Sequence, residues 1–389
     1  MKKYFELIEE SQKRAKLGGF NSIPWGLNRL TNDLFFPGWV PGKYYCVTGN
    51  SSTGKTKILK YLAIYNTYLH WISTGKSYEF KIMWFALEES EEDFWLSMIC
   101  LCIYIQTGGA IQLTPTILLK QGKRELSKIE LEYIKKAEQS EFLKTLYEKL
   151  SVFDYIFNPT GIKKEIDKYV TQPHIGELIK NPAGIVTGYT AKSNDHFLLI
   201  VTDHISLLHA EKSFLGENMS DHQTLKFFSG TYCLNSFCKR YKAIVINSHQ
   251  QDQAKENMEY TNRGGLIEQK LEPSLDHLAN NKEIQRDYDC VLGIFNPHRY
   301  DIEKHAGYDL RVANLDFGRQ YRSLKFLKDR LAGLEGARIG TYFNGAVPYL
   351  EELPKIQTGM PFILPGYPND TLLKTYLADY KKYEATIKK

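Results

Sequence analysis

At 389 residues, 43% hydrophobic and 24% charged, the chain can bury a large core, has room for two or three domains, and has the balance of a soluble globular protein. Its formal net charge of +5 is a weak lean toward a polyanion and decides nothing alone. The six cysteines, Cys46, Cys100, Cys102, Cys233, Cys238 and Cys290, lie mostly in apolar segments and form no C-x-x-C pair, which argues against a disulfide or zinc framework and predicts reduced core thiols in a cytoplasmic protein.

The opening MKKYFELIEESQKRAKLGG mixes charges with apolar residues and has no uninterrupted apolar block, so it reads as neither signal peptide nor membrane span. Its periodicity predicts an amphipathic helix over residues 2–17, with Tyr4, Phe5, Leu7 and Ile8 on or near one face and Gly18-Gly19 ending it. Two roles fit such a helix: packing on its own domain, or docking onto a neighbouring subunit. Residues 20–42, rich in turns and aromatics, read as a lead-in that shapes the edge of a nucleotide pocket.

Residues 43–62 read KYYCVTGNSSTGKTKILKYL, a short apolar strand, a glycine loop and then a helical pattern. This is the order a phosphate-binding loop requires. With Gly at roughly 7% of residues, the G-x-x-x-x-G-K-T pattern arises by accident in only about one or two chains in a hundred of this length. The loop Gly49-Asn50-Ser51-Ser52-Thr53-Gly54-Lys55-Thr56 is therefore read as the cradle for the phosphates of ATP. Lys55 would reach the β and γ phosphates, the Thr56 hydroxyl would bind Mg²⁺, and the helix would direct its positive end at the anion.

A second strand is predicted over 80–87, ending in Glu88-Glu89-Ser90, followed by a helix carrying Phe94, Trp95, Met98, Ile99 and Cys102. The apolar run 95–105 is too short to cross a bilayer, so no membrane partner is expected. The capping box Ser127-Lys-Ile-Glu130 starts a helix extending to about residue 150, with a strand over 152–157 and a helix over 162–169 after it. Residues 172–195, polar and glycine-containing, read as a long loop.

The run Phe197-Leu-Leu-Ile-Val-Thr-Asp203 is a buried parallel strand that delivers a carboxylate to its C-terminal edge, where Asp203 would hold Mg²⁺ through water. A helix over 223–241 leads to a strand over 243–248 and then His249, which is either a satisfied histidine at a strand end or a contact to the γ-phosphate. Residues 252–276 form a polar loop with Lys255 and Arg263; a helix over 278–289, strands over 289–295 and 323–328, and a closing hairpin of 339–343 with 346–350 follow. The tail after Pro354 ends in a basic amphipathic helix over 371–388.

Five strands ending in Thr48, Glu88, Asp203, His249 and Lys328/Arg330, separated mainly by helices, predict one doubly wound α/β P-loop ATPase core. The expected core is a mostly parallel sheet flanked by helices, with the site along one sheet edge. Glu88 is the candidate base for the attacking water; Glu89 is its rival and reads as facing solvent.

On these residues the chain resembles the RecA-like motor domain of DnaB-type, superfamily 4 replicative helicases, a group that includes phage helicases. PGWVPGKYYCVTGNSSTGKT resembles the family's approach to Walker A, FALEES the strand ending in the catalytic glutamate (Glu88), and LLIVTDHISLL Walker B (Asp203). INSHQ resembles the strand ending in a Gln or His sensor (His249), and LANNKEIQRDYDCVLGIF the loop and helix before the strand that follows the DNA-channel loop. LKFLKDRLAG resembles the strand whose Lys-x-Arg pair reaches the neighbouring subunit's nucleotide, which makes Arg330 the arginine finger and Lys328 its companion.

The resemblance spans roughly residues 20–350 and implies a hexameric ring with ATP at subunit interfaces, translocating 5′ to 3′ on single-stranded DNA. A primase or helicase loader is the implied further partner. The loop residues Lys255, Arg263, Asn280, Asn281 and Lys282 have the small polar and basic character that binds a DNA backbone without reading sequence, although Asn280, Asn281 and Lys282 also suit a solvated helix start. The expected organisation is a linker helix at 1–19, a motor domain at 20–353 and a tail at 354–389. No DnaB-type N-terminal domain or primase domain is expected before the motor. A RecA- or RadA-like recombination ATPase and a nucleotide-gated DNA-binding assembly protein with little hydrolysis are the alternatives on the same residues.

Overall fold

The computed structural model of the protein describes residues 2–16, 21–119, 124–212, 216–252, 270–278, 282–310 and 317–353. The predicted DNA contacts Lys255, Arg263, Asn280 and Asn281, the Gly18-Gly19 pair and the tail helix over 371–388 lie outside the described residues; Lys282 opens the short turn Lys282–Arg286, its side chain outside the description.

Among the described residues, thirteen strands are numbered in chain order: β1 Tyr44–Gly49, β2 Glu79–Ala86, β3 Leu150–Phe153, β4 Gly176–Lys180, β5 Val186–Ala191, β6 His196–Asp203, β7 Ile244–Gln250, β8 Cys290–Phe295, β9 Lys304–His305, β10 Tyr308–Asp309, β11 Tyr321–Asp329, β12 Arg338–Asn344 and β13 Tyr349–Glu352. Nine of them form one sheet in the order β13-β12-β11-β8-β1-β7-β6-β2-β3. From β8 to β3 neighbouring strands run parallel, while β11, β12 and β13 are added antiparallel at one side. This is the expected RecA-like architecture, a mostly parallel sheet with helices on both faces.

The apolar runs are continuous because both faces are covered. On one face Tyr45, Val47, Ile246, Val201 and Trp84 pack against Ile58, Leu59 and Leu62 of the helical stretch made of Lys55–Leu59, Lys60–Tyr65 and Asn66–Ser73. On the other, Tyr44, Cys46, Val245, Ile200 and Phe85 meet Phe228, Tyr232 and Phe237 of the helix that continues Asp221–Phe227 through Phe228–Arg240. All six cysteines are buried free thiols, as predicted. No helix among the described residues is long and apolar enough to cross a membrane.

Several local expectations change. The helix from Ser127 has its predicted capping box but stops at Glu138; Ser140 accepts from the Leu143 N–H at 3.3 Å and starts a second helix, Glu141–Lys149. Residues 172–195 are not a loop: β4 and β5 pair as an antiparallel hairpin. Its turn is made by Asn181, whose side-chain carbonyl accepts from Ala183 N (3.1 Å) and Ile185 N (2.9 Å), and by Gly184 at φ +77°. The predicted helix over 278–289 reduces to the turn Lys282–Arg286 among its described residues. The aromatic lead-in builds core rather than pocket edge: Trp25 lies 4.6 Å from both Phe36 and Trp39 and stacks on Phe326 at 6.0 Å. The helix Lys2–Lys16 forms as predicted, with Tyr4, Phe5 and Ile8 exposed on this chain.

Candidate nucleotide-binding site

The P-loop leaves β1 between its two partners β7 and β8, where backbone crowding dictates glycine. A Cβ at Gly49 would sit 2.7 Å from the Ile294 carbonyl and 2.8 Å from Thr53 Oγ1. Gly54 has φ +94°, and a Cβ there would lie 2.5 Å from the Phe343 ring. Inside the loop, Thr53 Oγ1 donates to the Asn50 carbonyl at 2.9 Å, and Arg299 Nη1 and Tyr300 hold the outer side through Ser51 O (2.7 Å) and Asn50 Nδ2 (2.7 Å). The helix starts at Lys55, so its first N–H groups, which lack intrahelical acceptors, open on the loop. Lys55 Nζ donates to the carbonyls of Gly49 (3.1 Å) and Asn50 (3.0 Å). Burial lowers its pKa, and the carboxylates of Asp203 and Glu88 oppose that shift.

A cleft of about 350 Å³ lies over this loop, lined by Ser51, Ser52, Gly54, Lys55, Thr56 and Lys57 together with Glu88, Gln250, Arg322 and Phe343. Two grooves of about 580 and 510 Å³ are larger but lie elsewhere, away from the glycine loop and its cations. Convergence of chemistry, not volume, marks the site.

The sheet register explains how the carboxylates arrive. Ala86 pairs with Asp203, and the Leu87 N–H donates to the Asp203 carbonyl at 2.7 Å, so β2 and β6 end together. Asp203 is buried and accepts a hydrogen bond from Ser248 Oγ on β7. Glu88 continues the side-chain alternation of Trp84 and Ala86, which face the P-loop helix, and so enters the cleft. Its Oε2 lies 3.8 Å from Nε2 of His204. Burial lowers the His204 pKa against the pull of Asp203 and Glu88, which favours the neutral imidazole.

Glu89 does not face solvent as expected. It turns inward and pairs with Lys60 of the P-loop helix at 2.7 Å, its side chain 21% exposed against 60% for Glu88. The reason is geometric: the chain bends after β2, and Lys60, buried on the helix beneath it, receives this carboxylate.

His249, read either as a satisfied histidine at a strand end or as a γ-phosphate contact, does not line the cleft. It pairs with Thr48, on the sheet face opposite the P-loop helix, and is fully buried. Gln250, paired with Gly49, is the residue of β7 that lines the cleft. Gln251 then ties the strand end to the loop base: its side chain donates to Thr48 Oγ1 (2.8 Å) and accepts from Ser274 N (3.1 Å), and its N–H donates to the Gly49 carbonyl (3.2 Å).

Lys328 and Arg330 are not on the same edge as the P-loop. β11 runs antiparallel to β8, with Ser323 opposite Phe295 and Asp329 opposite Cys290, so its C-terminal end lies beside the start of the parallel strands. There Arg330 is exposed, its N–H bonded to the Asp289 carbonyl (2.9 Å), and Lys328 Nζ donates to the Gln285 carbonyl (2.5 Å). The other end of β11 reaches the P-loop and brings Arg322, which the sequence pattern did not single out. Alternation along YRSLKFLKD marks a strand but not its direction, and direction decides which cation meets the phosphate loop.

Among the described residues no group of three or more His, Cys, Asp or Glu side chains is arranged to cage a metal ion. The donors present, the Thr56 hydroxyl and the Asp203 carboxylate beside a phosphate cradle, suit Mg²⁺, which keeps waters and shares substrate oxygens.

The fold matches solved structures. It superposes on a structure described as an ATPase domain with a TM-score of 0.63 at 13% identity, covering 91% of this chain and 98% of that one. It also superposes on a DnaB-like replicative helicase, solved for its interactions with primase, with a TM-score of 0.59 at 13% identity, covering 90% of this chain and 66% of that one. The chain thus has the fold of DnaB-like helicase ATPase domains. No protein-family model matches the sequence, and no curated protein does.

Proposed function

We propose that this chain is an ATP-dependent replicative DNA helicase, a ring-forming motor, in its cellular setting cytoplasmic, that translocates on single-stranded DNA and separates duplex strands. The observation that carries the reading is the split of charge across the sheet. One edge gathers the P-loop, Asp203 and Glu88; the other presents the exposed Arg330 beside Lys328. A nucleotide bound at the P-loop would lie at the sheet edge away from its own subunit's Arg330, and a ring of identical subunits would bring a neighbour's Arg330 to it.

In this reading Gly49 to Thr56 bind the phosphates of ATP, and Thr56 with Asp203 would hold Mg²⁺, which would supply charge neutralisation at the phosphates. Glu88 orients and accepts a proton from the attacking water. His204, 3.8 Å from Glu88, limits where that carboxylate can point. Gln250 takes the sensor position at the end of β7 in place of His249. The neighbour's Arg330 and Lys328 counter the charge that develops on the transferring phosphoryl, so hydrolysis depends on assembly. The helix Lys2–Lys16, with Tyr4 70% and Phe5 69% exposed, is the docking element onto the adjacent subunit. Lys255, Arg263, Asn280, Asn281 and Lys282 are proposed to track the DNA backbone in the channel, and a primase or loader is the proposed further partner.

The test is ATPase rate against added single-stranded DNA, alongside a forked-duplex unwinding assay. DNA-stimulated hydrolysis with strand separation supports the helicase. Stimulation with strand pairing and no unwinding would replace it with a recombination ATPase, and hydrolysis indifferent to DNA would remove the motor altogether.

A further inference from the structure

The cleft holds a cation that no motif predicts. Arg322, second residue of β11, is 6% exposed and lies against the P-loop. Its Nε donates to the Thr53 carbonyl at 2.9 Å, and its Nη1 donates to the carbonyls of Arg319 (2.6 Å) and Tyr321 (2.7 Å). The guanidinium stands 5.0 Å from the centroid of the Phe343 ring, the same ring that excludes a side chain from Gly54. A guanidinium has five N–H donors in a fixed plane. Three are taken by these carbonyls, and Nη2 makes no hydrogen bond to the described residues, while Arg322 itself is part of the cleft wall.

We infer that Arg322 is a second phosphate-binding cation of the P-loop, offering its Nη2 edge in cis to the polyphosphate of the bound nucleotide. The inference rests on the nucleotide-site reading above and names a ligand contact within it. Among the described residues no carboxylate pairs with Arg322, so its charge is uncompensated there, in a buried wall that opens toward the cleft. Burial lowers its pKa to about 10, which leaves it fully charged at neutral pH. A desolvated cation with two in-plane donors is a strong partner for phosphate oxygens. The third cation of the cleft, Lys57, is turned to the Gly345 carbonyl. Phe343 covers one face of the guanidinium and fixes the plane in which those donors lie.

The test measures binding of Mg-ATP and of inorganic tripolyphosphate, which lacks a base, to the full chain carrying Arg322→Gln or Arg322→Lys. The expected result is that Arg322→Gln weakens both ligands by at least about tenfold, the scale of one charge-assisted hydrogen bond. Arg322→Lys, which keeps the charge but cannot fork to three carbonyls, should stay within about threefold of wild type. Equal losses in the two variants would mean that Arg322 only braces the loop, and a loss for ATP but not for tripolyphosphate would move the contact to the base. Either overturns the inference while leaving the nucleotide site intact; failure of wild type to bind either ligand overturns both.

Discussion

Lys60 Nζ, on the P-loop helix, lies 2.7 Å from Glu89 Oε2, and this pair decides which of two adjacent glutamates faces the nucleotide cleft. Lys60 is 1% exposed, and its ammonium also sits 4.4 Å from the Phe94 ring centroid. Burial pushes Lys60 down and Glu89 up, each toward its neutral form, while their mutual attraction holds the ion pair. Removing one partner strands the other. Glu89→Gln is expected to lose about 3 kcal/mol in urea unfolding. Glu88→Gln, on an exposed side chain, should unfold where wild type does, keep ATP binding and lose hydrolysis.

The placement of His249 and Gln250 makes a second expectation. His249 fills space on the far face of the sheet with no exposed surface, so His249→Ala should cost about 2 kcal/mol or more of stability. Gln250→Ala removes a cleft side chain and should leave unfolding within about 0.5 kcal/mol while uncoupling hydrolysis from DNA. The reverse pattern, activity lost only in a stable His249→Ala, would return the sensor role to His249.

Glu351 on β13 makes the fold sensitive to pH. Burial pushes its carboxyl up to about 7, against the hydrogen bond it accepts from Tyr349 at 3.0 Å. A raised carboxyl favours the folded state when protonated, so its contribution is whole below about pH 4.5 and is lost as pH rises through about 7. Glu351→Gln should match wild type at pH 4 and exceed it at pH 8. Because the side chain keeps contact with water, the gain is expected to be only about 1 kcal/mol. Thermal melts at the two pH values check this.

Glu272 titrates in the opposite sense. Burial would raise it, but hydrogen bonds from His305 (3.1 Å), Lys325 (2.7 Å) and Arg338 (2.9 Å) outweigh burial and hold it down at about 2. The stability it contributes is present above about pH 4.5 and is lost as pH falls through about 2. The cluster ties Glu272 to β9, β11 and β12. Glu272→Gln strands three cationic or polar partners and should cost about 3 to 5 kcal/mol at pH 7. Acid unfolding of that variant should begin from a lower plateau and show a shallower slope below pH 4.5.

Much of the sheet was legible because buried parallel strands announce themselves. Tyr44 to Gly49, Phe197 to Asp203 and Cys290 to Phe295 are apolar runs that can be nothing but core, and two of them end in residues that belong at a sheet edge. What escaped were relations that strands acquire from their neighbours. The inward turn of Glu89 is set only once β2 is paired and Lys60 is placed beneath the bend. The direction of β11 is invisible in its alternation, so nothing in the pattern points to Arg322 or places Lys328 and Arg330 at the edge away from the P-loop. The hairpin of β4 and β5 hid in polar residues because the Leu178–Tyr189 pair that packs against the core is too small an apolar signal to mark two strands; Asn181-Pro182-Ala183-Gly184 marked its turn.

The central claim is that each nucleotide site is completed by the next subunit's Arg330, and mixing two inactive variants tests it directly. Lys55→Ala spoils its own P-loop but carries an intact finger; Arg330→Ala has an intact P-loop and no finger. Each alone should hydrolyse ATP at background. Mixed in equal amounts under assembling conditions, they create interfaces that join the P-loop of one to the finger of the other, and ATPase activity should reappear at a substantial fraction of wild type. Activity that stays at the sum of the separate variants, with both assembled together, would contradict a finger supplied in trans and with it the ring-shaped motor.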